Sequence, residues 1–163
     1  MSVTNSTEPR PNRWTMWLLI LAVVLATAIA YSPIAGNAYI NYDDVDYLLG
    51  NEMVLRGLTG PGVVWAFQCI DLSYWHPLTW MSHMADIDVF GEERPQWMHI
   101  ESLVIHGLNA ALLLGLLTRL TGSVWRSALV SALFALHPQR VESVAWIAER
   151  KDVLWVFFAM LTL

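Results

Sequence analysis

The chain has 163 residues, 56% of them hydrophobic and only 14% charged, with a net charge of −5. Soluble domains are roughly half apolar and a quarter charged, and the apolar excess here is gathered in runs, as in a membrane protein. The acidic balance gives no support to nucleic-acid binding, and the single cysteine, Cys69, cannot form an internal disulfide.

Residues 1–13 are polar and carry Arg10 and Arg13, which reads as a cytoplasmic tail. The run from Trp14 to about Ser32 holds no charge and is long enough to cross a bilayer as a helix. Ala28-Ile29-Ala30 would also serve as a signal-peptide cleavage site. The run is long for a signal peptide and begins with Trp14 and Trp17, and both readings stand at this point. Trp97 and Trp125 likewise sit at the ends of apolar runs, where an indole keeps its ring buried and its N–H wet.

Residues 35–99 form a polar, aromatic-rich segment with nine acids and two bases, Arg56 and Arg94. Its length predicts a compact helical loop domain rather than a connector. Short helices are expected over Val63–Ile70 and Pro77–Ala85, since proline suits the first turn of a helix, and Gly57 to Gly62 reads as a turn. Trp80, Met81 and Met84 would form an apolar stripe lying on the membrane. Thr79, His83 and Asp86 share another face of the same helix.

A second span is expected from about Ile100 to Thr118 and a third, shorter one over Ser127–Leu136. Ten to fourteen residues are marginal for crossing, so a re-entrant segment is the alternative. A fourth span begins near Val153 and reaches the last residue as only about half a spanning helix, which reads as an N-terminal fragment of something larger. Arg10 and Arg13, with Arg119 and Arg126, put those regions in the cytoplasm by the positive-inside rule. The acidic loop and residues 137–152 then share the outer face, where Arg140, Arg150 and Lys151 run against the rule.

Asp43 and Asp44 stand beyond the first span, in Asn41-Tyr42-Asp43-Asp44-Val45-Asp46-Tyr47. Adjacent carboxylates at a membrane surface read either as a capped turn or as a general base with an orienting partner. Neighbouring side chains point apart, so only one would touch the reacting atom. In His137–Asp152, a helix starting at Pro138 would align Glu142, Trp146 and Glu149. Arg150 and Lys151 beside Asp152 suit a phosphate leaving group, with a snorkelling interface cluster as the competing reading. His76, His83, Asp86 and Asp88 match no strong ligand signature. No residue is assigned to a metal; no cofactor is certain, and a divalent metal stays open. His106 and Asn109, three apart in the second span, are expected to hydrogen-bond between helices.

Taken together, Asn41-Tyr42-Asp43-Asp44, Tyr74 to Trp80, the His106–Asn109 step and His137–Asp152 resemble the N-terminal membrane domain of the transmembrane and tetratricopeptide-repeat protein family and its bacterial relatives. Those proteins are similar to the GT-C superfamily of glycosyltransferases, which includes protein O-mannosyltransferases. The resemblance implies a larger helical bundle, a polyprenyl-phosphate-linked sugar as donor, an acceptor protein, and often a C-terminal repeat array. Matched by position, Asp43 and Asp44 fall on the acidic motif, with Asp43 the preferred base. His76 falls in the Tyr74–Trp80 motif and is assigned to substrate binding. His137, Glu142, Arg150, Lys151 and Asp152 fall on the second external segment, where Arg150 would meet the donor phosphate.

The expected fold class is all-α integral membrane, a GT-C-like bundle fragment of about three complete spans and the start of a fourth, with a helical external loop. A bacterial inner membrane, with the acidic loop facing the periplasm, is the expected location. The leading reading is a membrane glycosyltransferase whose fragment would be inactive alone. The alternatives are a non-catalytic membrane anchor of a repeat scaffold and a transporter using His106.

Overall fold

The computed structural model describes residues 12–70 and 75–163, and among these it is all-helical. The expected tail, apart from Asn12 and Arg13, lies outside the described residues, as does Tyr74 of the Tyr74–Trp80 motif. Asn12 caps helix α1 (Arg13–Tyr31) by accepting from the Trp14 N–H, and a 3-10 turn continues it to Gly36. The loop region then folds as a π-helical turn at Val45–Leu49, α2 (Glu52–Leu55), α3 (Gly60–Gln68) and α4 (Pro77–Phe90). Helix α5 (Pro95–Thr121) returns through the bundle, Gly122 (φ 71°) ends it, and α6 (Val124–Leu136) runs back. After α7 (Arg140–Ala145) and a 3-10 turn at Ile147–Glu149 comes α8 (Arg150–Thr162).

Two helical runs, residues 13–36 and Pro95–Thr121, are long and apolar enough to cross a membrane, with 22% and 33% of their apolar windows buried inside the protein. Uncovered apolar surface of that extent exceeds what a water-facing surface carries, and lipid is the solvent that suits it. The fold is an all-α membrane fold. Helix α6 has 13 residues, about 20 Å at the helical rise, shorter than a bilayer core.

Helix α5 is the axis, touching α1, α6, α7 and α8. The faces meeting there are small. Ala110 and Leu114 pack with Val23, Ala128 and Ala135, Gly107 faces Val24, and the Ser131 hydroxyl donates to the Ala110 carbonyl at 2.6 Å. Small side chains let helices approach closely where lipid offers no hydrophobic drive to associate. His106 Nε2 meets the Ala135 carbonyl at 3.0 Å, and the Asn109 amide donates to the Val153 carbonyl at 2.8 Å. Both are the interhelical bonds that their spacing predicts.

The loop region has a core of its own, in which Tyr47, Leu48, Val54, Ala66, Trp80 and Met84 pack with Met98, Ile147 and Ala148. The expected membrane-lying stripe is thereby corrected: Trp80 and Met84 are fully buried in this core. Other boundaries also move. Helix α3 already starts at Gly60, inside the expected turn, and α5 starts at Pro95 rather than near Ile100. The expected helix from Pro138 that would align Glu142, Trp146 and Glu149 is broken at Trp146 (φ −99°, ψ 120°). The break turns Ile147 and Ala148 into the loop core, a gain that outweighs one more turn of helix.

Candidate functional site

Three of the motifs meet on one face of the bundle. The first is Asp44, fully buried, whose Oδ2 accepts from the Ile40 N–H at 2.8 Å and whose Oδ1 accepts from the Ala148 N–H at 2.9 Å. One carboxylate therefore ties the acidic loop to the segment before α8, 104 residues away in sequence. Burial raises the pKa of Asp44 from its ordinary 3.8, against the pull of the two backbone donors. Asp43 is half-buried and takes no part in these bonds.

The second meeting is aromatic. Tyr47 stacks on His76 (centroids 5.6 Å, planes 11° apart) and on Trp80 (4.9 Å), and His76 stacks on Trp80 (4.8 Å). The Lys151 ammonium lies 5.5 Å from the Tyr47 ring centroid and donates to Glu149 Oε1 at 2.7 Å. Burial draws the Lys151 pKa down, but the bond to Glu149 and the nearby Tyr47 and Asp152 more than reverse it, and the net direction is up from 10.5.

Beside this cluster runs a groove of about 730 Å³. Its polar lining includes His76, Lys151 and Asp152, and its apolar lining includes Trp75, Leu78, Leu154, Trp155 and Phe158. Asp152 also accepts from the Ser143 hydroxyl at 3.0 Å, joining α7 to α8. The arrangement offers a cation, a carboxylate and an imidazole along a largely apolar groove.

The remaining sequence-predicted residues separate from it. His137 is exposed and lines another groove, with Phe134 and Arg140; Glu142 is exposed on α7. Arg150, expected at the donor phosphate, is instead fully buried and paired with Asp86 and Glu101. Among the described residues no three His, Cys, Asp or Glu side chains converge as a metal site. Asp86 is occupied by Arg150, and Asp88 accepts from the Leu58 N–H at 2.8 Å.

Sequence reasoning missed Tyr47 and Glu101. An acid one residue into an apolar span is costly unless paired, so Glu101 itself signalled a buried cation. Tyr47 carried no comparable signal, because its role depends on the approach of His76 and Lys151 from distant segments.

One stretch of the chain is similar to Protein O-mannosyl-transferase Tmtc2 of Drosophila melanogaster, 32% identical over 79 residues. The matched stretch is 48% of this chain and 8% of that relative. No family model and no solved structure matches the chain. The likeness is partial and covers a small part of that relative.

Proposed function

We propose that this chain contributes to the active site of a membrane glycosyltransferase, which moves a sugar from a polyprenyl-phosphate donor to an acceptor hydroxyl on a protein. The observation that carries the reading is that His76, Lys151 and Asp152 line one largely apolar groove, while Tyr47 and Asp44 of the acidic loop pack against His76, Lys151 and the segment before α8. A polyprenyl chain suits walls made of Trp75, Trp155 and Phe158, and a phosphate suits the Lys151 ammonium. The O-mannosyl-transferase likeness supports the reaction class.

In this mechanism Asp43 accepts the proton of the acceptor hydroxyl as its oxygen attacks the anomeric carbon. The bond from that carbon to the phosphate oxygen breaks, its electron pair leaves with the lipid phosphate, and Lys151 stabilises the charge that develops there. Positive charge grows on the sugar ring in the transition state, as in glycoside cleavage, and Asp152 lines the same groove as Lys151. Asp44 holds the loop that presents Asp43. The acidic loop faces the side of the membrane opposite Arg13, Arg119 and Arg126; in a bacterial inner membrane this is the periplasm.

The test uses the full-length protein in membrane vesicles supplied with radiolabelled polyprenyl-phosphate sugars. Asp43→Asn should lower label transfer to protein by roughly a hundredfold or more at equal expression, the usual weight of a general base. Unchanged transfer would remove Asp43 from the chemistry, and no transfer by wild type with any donor sugar would sink the reading.

A further inference from the structure

Of the cations on the acidic-loop face, Arg150 is the one that no solvent reaches: its side chain is 0% exposed. All three guanidinium nitrogens are engaged. Nε donates to Ser102 Oγ at 3.3 Å and Nη2 to the Met98 carbonyl at 2.9 Å. Nη1 donates to Ser82 Oγ at 3.0 Å and to the Asp86 carboxylate, and lies 3.0 Å from Glu101 Oε2. Ser82 and Asp86 belong to α4; Met98, Glu101 and Ser102 belong to α5; Arg150 opens α8. A buried guanidinium survives only where its donors are satisfied in this way. Turning it toward a ligand in the groove would strand the buried Asp86 carboxylate without its counter-charge.

The groove's two walls are built from the elements this cluster joins. His76, Pro77, Leu78 and Thr79 come from the start of α4, and Lys151 through Thr162 from α8. Successive residues of a helix point about 100° apart, so a buried Arg150 sends the next side chain, Lys151, toward Tyr47 and the groove.

We infer that Arg150 is a positioning residue: it clamps α4 and α5 to the start of α8, and so fixes the spacing of the groove walls and the place of the Lys151 ammonium. The effect on ligand binding rests on the reading of the groove as a lipid-phosphate site; the clamp itself does not.

The test compares the full-length protein and its variants in nanodiscs. Undecaprenyl phosphate is the binding probe, and amide hydrogen exchange of residues 77–90 reports the seating of α4. Arg150→Met should weaken binding by about tenfold or more, as truncation of a buried charge partner does, and should speed exchange in α4. The triple variant Arg150→Met, Asp86→Leu, Glu101→Leu removes the whole charged cluster, a replacement buried triads tolerate. It should restore slow exchange in α4, and binding with it. Lys151→Met should weaken binding while α4 exchange stays slow.

A triple variant with α4 fully protected but binding as weak as in Arg150→Met would overturn the proposal, since Arg150 would then touch the ligand. Arg150→Met with unaltered α4 exchange would overturn it as well. Should the triple variant not fold, Arg150→Lys decides. Binding and α4 protection falling together support positioning; protection kept with binding lost overturns it. If wild type fails to bind undecaprenyl phosphate, the donor reading fails. The clamp is then judged by α4 exchange in Arg150→Met alone, where faster exchange supports it and no change refutes it.

Discussion

Asp43 and Asp44 are neighbours of one chemical type, and the structure gives them opposite environments. Asp44 receives two backbone N–H groups in a buried setting, so Asp44→Ala would leave both donors without acceptors. At about 1–3 kcal/mol for each such group, thermal unfolding of Asp44→Ala should show a loss of roughly 2–6 kcal/mol. Asp43→Asn should leave the melting temperature near that of wild type while transfer falls. His83 yields a prediction in pH. It is fully buried, its ring nitrogens have no hydrogen-bond partner among the described residues, and burial together with the Arg150 charge holds its pKa well below 6.5. The unfolded chain therefore binds a proton near pH 6.5 that the folded chain refuses, and stability is complete above that pH. It falls by about 1.4 kcal/mol per pH unit below it, until the folded pKa is reached. Urea unfolding followed from pH 7.5 to 5.5 should show stability falling with pH, and His83→Leu should reduce that slope without abolishing it, since burial also lowers the pKa of His99.

At the level of elements, the turn before α3 depends on one glycine. Gly57 has φ 74°, and a Cβ there would overlap the Asp88 carboxylate that receives the Leu58 N–H. Left-handed backbone costs an L-residue about 1–2 kcal/mol before any clash, so Gly57→Ala should destabilise the loop region by at least that much in thermal denaturation. Unchanged stability would mean that Asp88 moves away without loss. The existence of the helices was legible from local signals, and Pro77 marked the start of α4; α5, from Pro95 to Thr121, runs beyond the expected Ile100–Thr118 at both ends. The break at Trp146 was not legible, because a regular stripe of Glu142, Trp146 and Glu149 fits a longer helix equally well. What decides against it is the burial of Ile147 and Ala148 and the waiting acceptor on Asp44.

For the whole molecule, apolar side chains along α1, including Trp17, Leu18, Leu21, Leu25 and Ile29, remain exposed, and the same holds for Leu129, Val130 and Leu133 on α6. Lipid contact along these faces predicts that the protein stays in the pellet after alkaline carbonate extraction and is released by detergent; release by carbonate alone would contradict a spanning arrangement. Two of the three cations that run against the positive-inside rule are held in ion pairs, Arg150 with Asp86 and Glu101 and Lys151 with Glu149; Arg140 lies over the Phe134 ring.

By itself the sequence determined the two long apolar helices, the helical loop region between them and the acidic pair beyond the first, because hydropathy, proline placement and capping act within a few residues of where they are read. It also marked His106 and Asn109 as interhelical donors, since a polar group at that depth has few other partners. Only the tertiary structure decided which carboxylate is structural, which cation is buried and which faces the groove. Asp44 and Ala148, or Arg150 and Asp86, are far apart in sequence and meet through packing. The energy of a buried charge depends on what surrounds it in space, and no spacing along the chain encodes that surrounding.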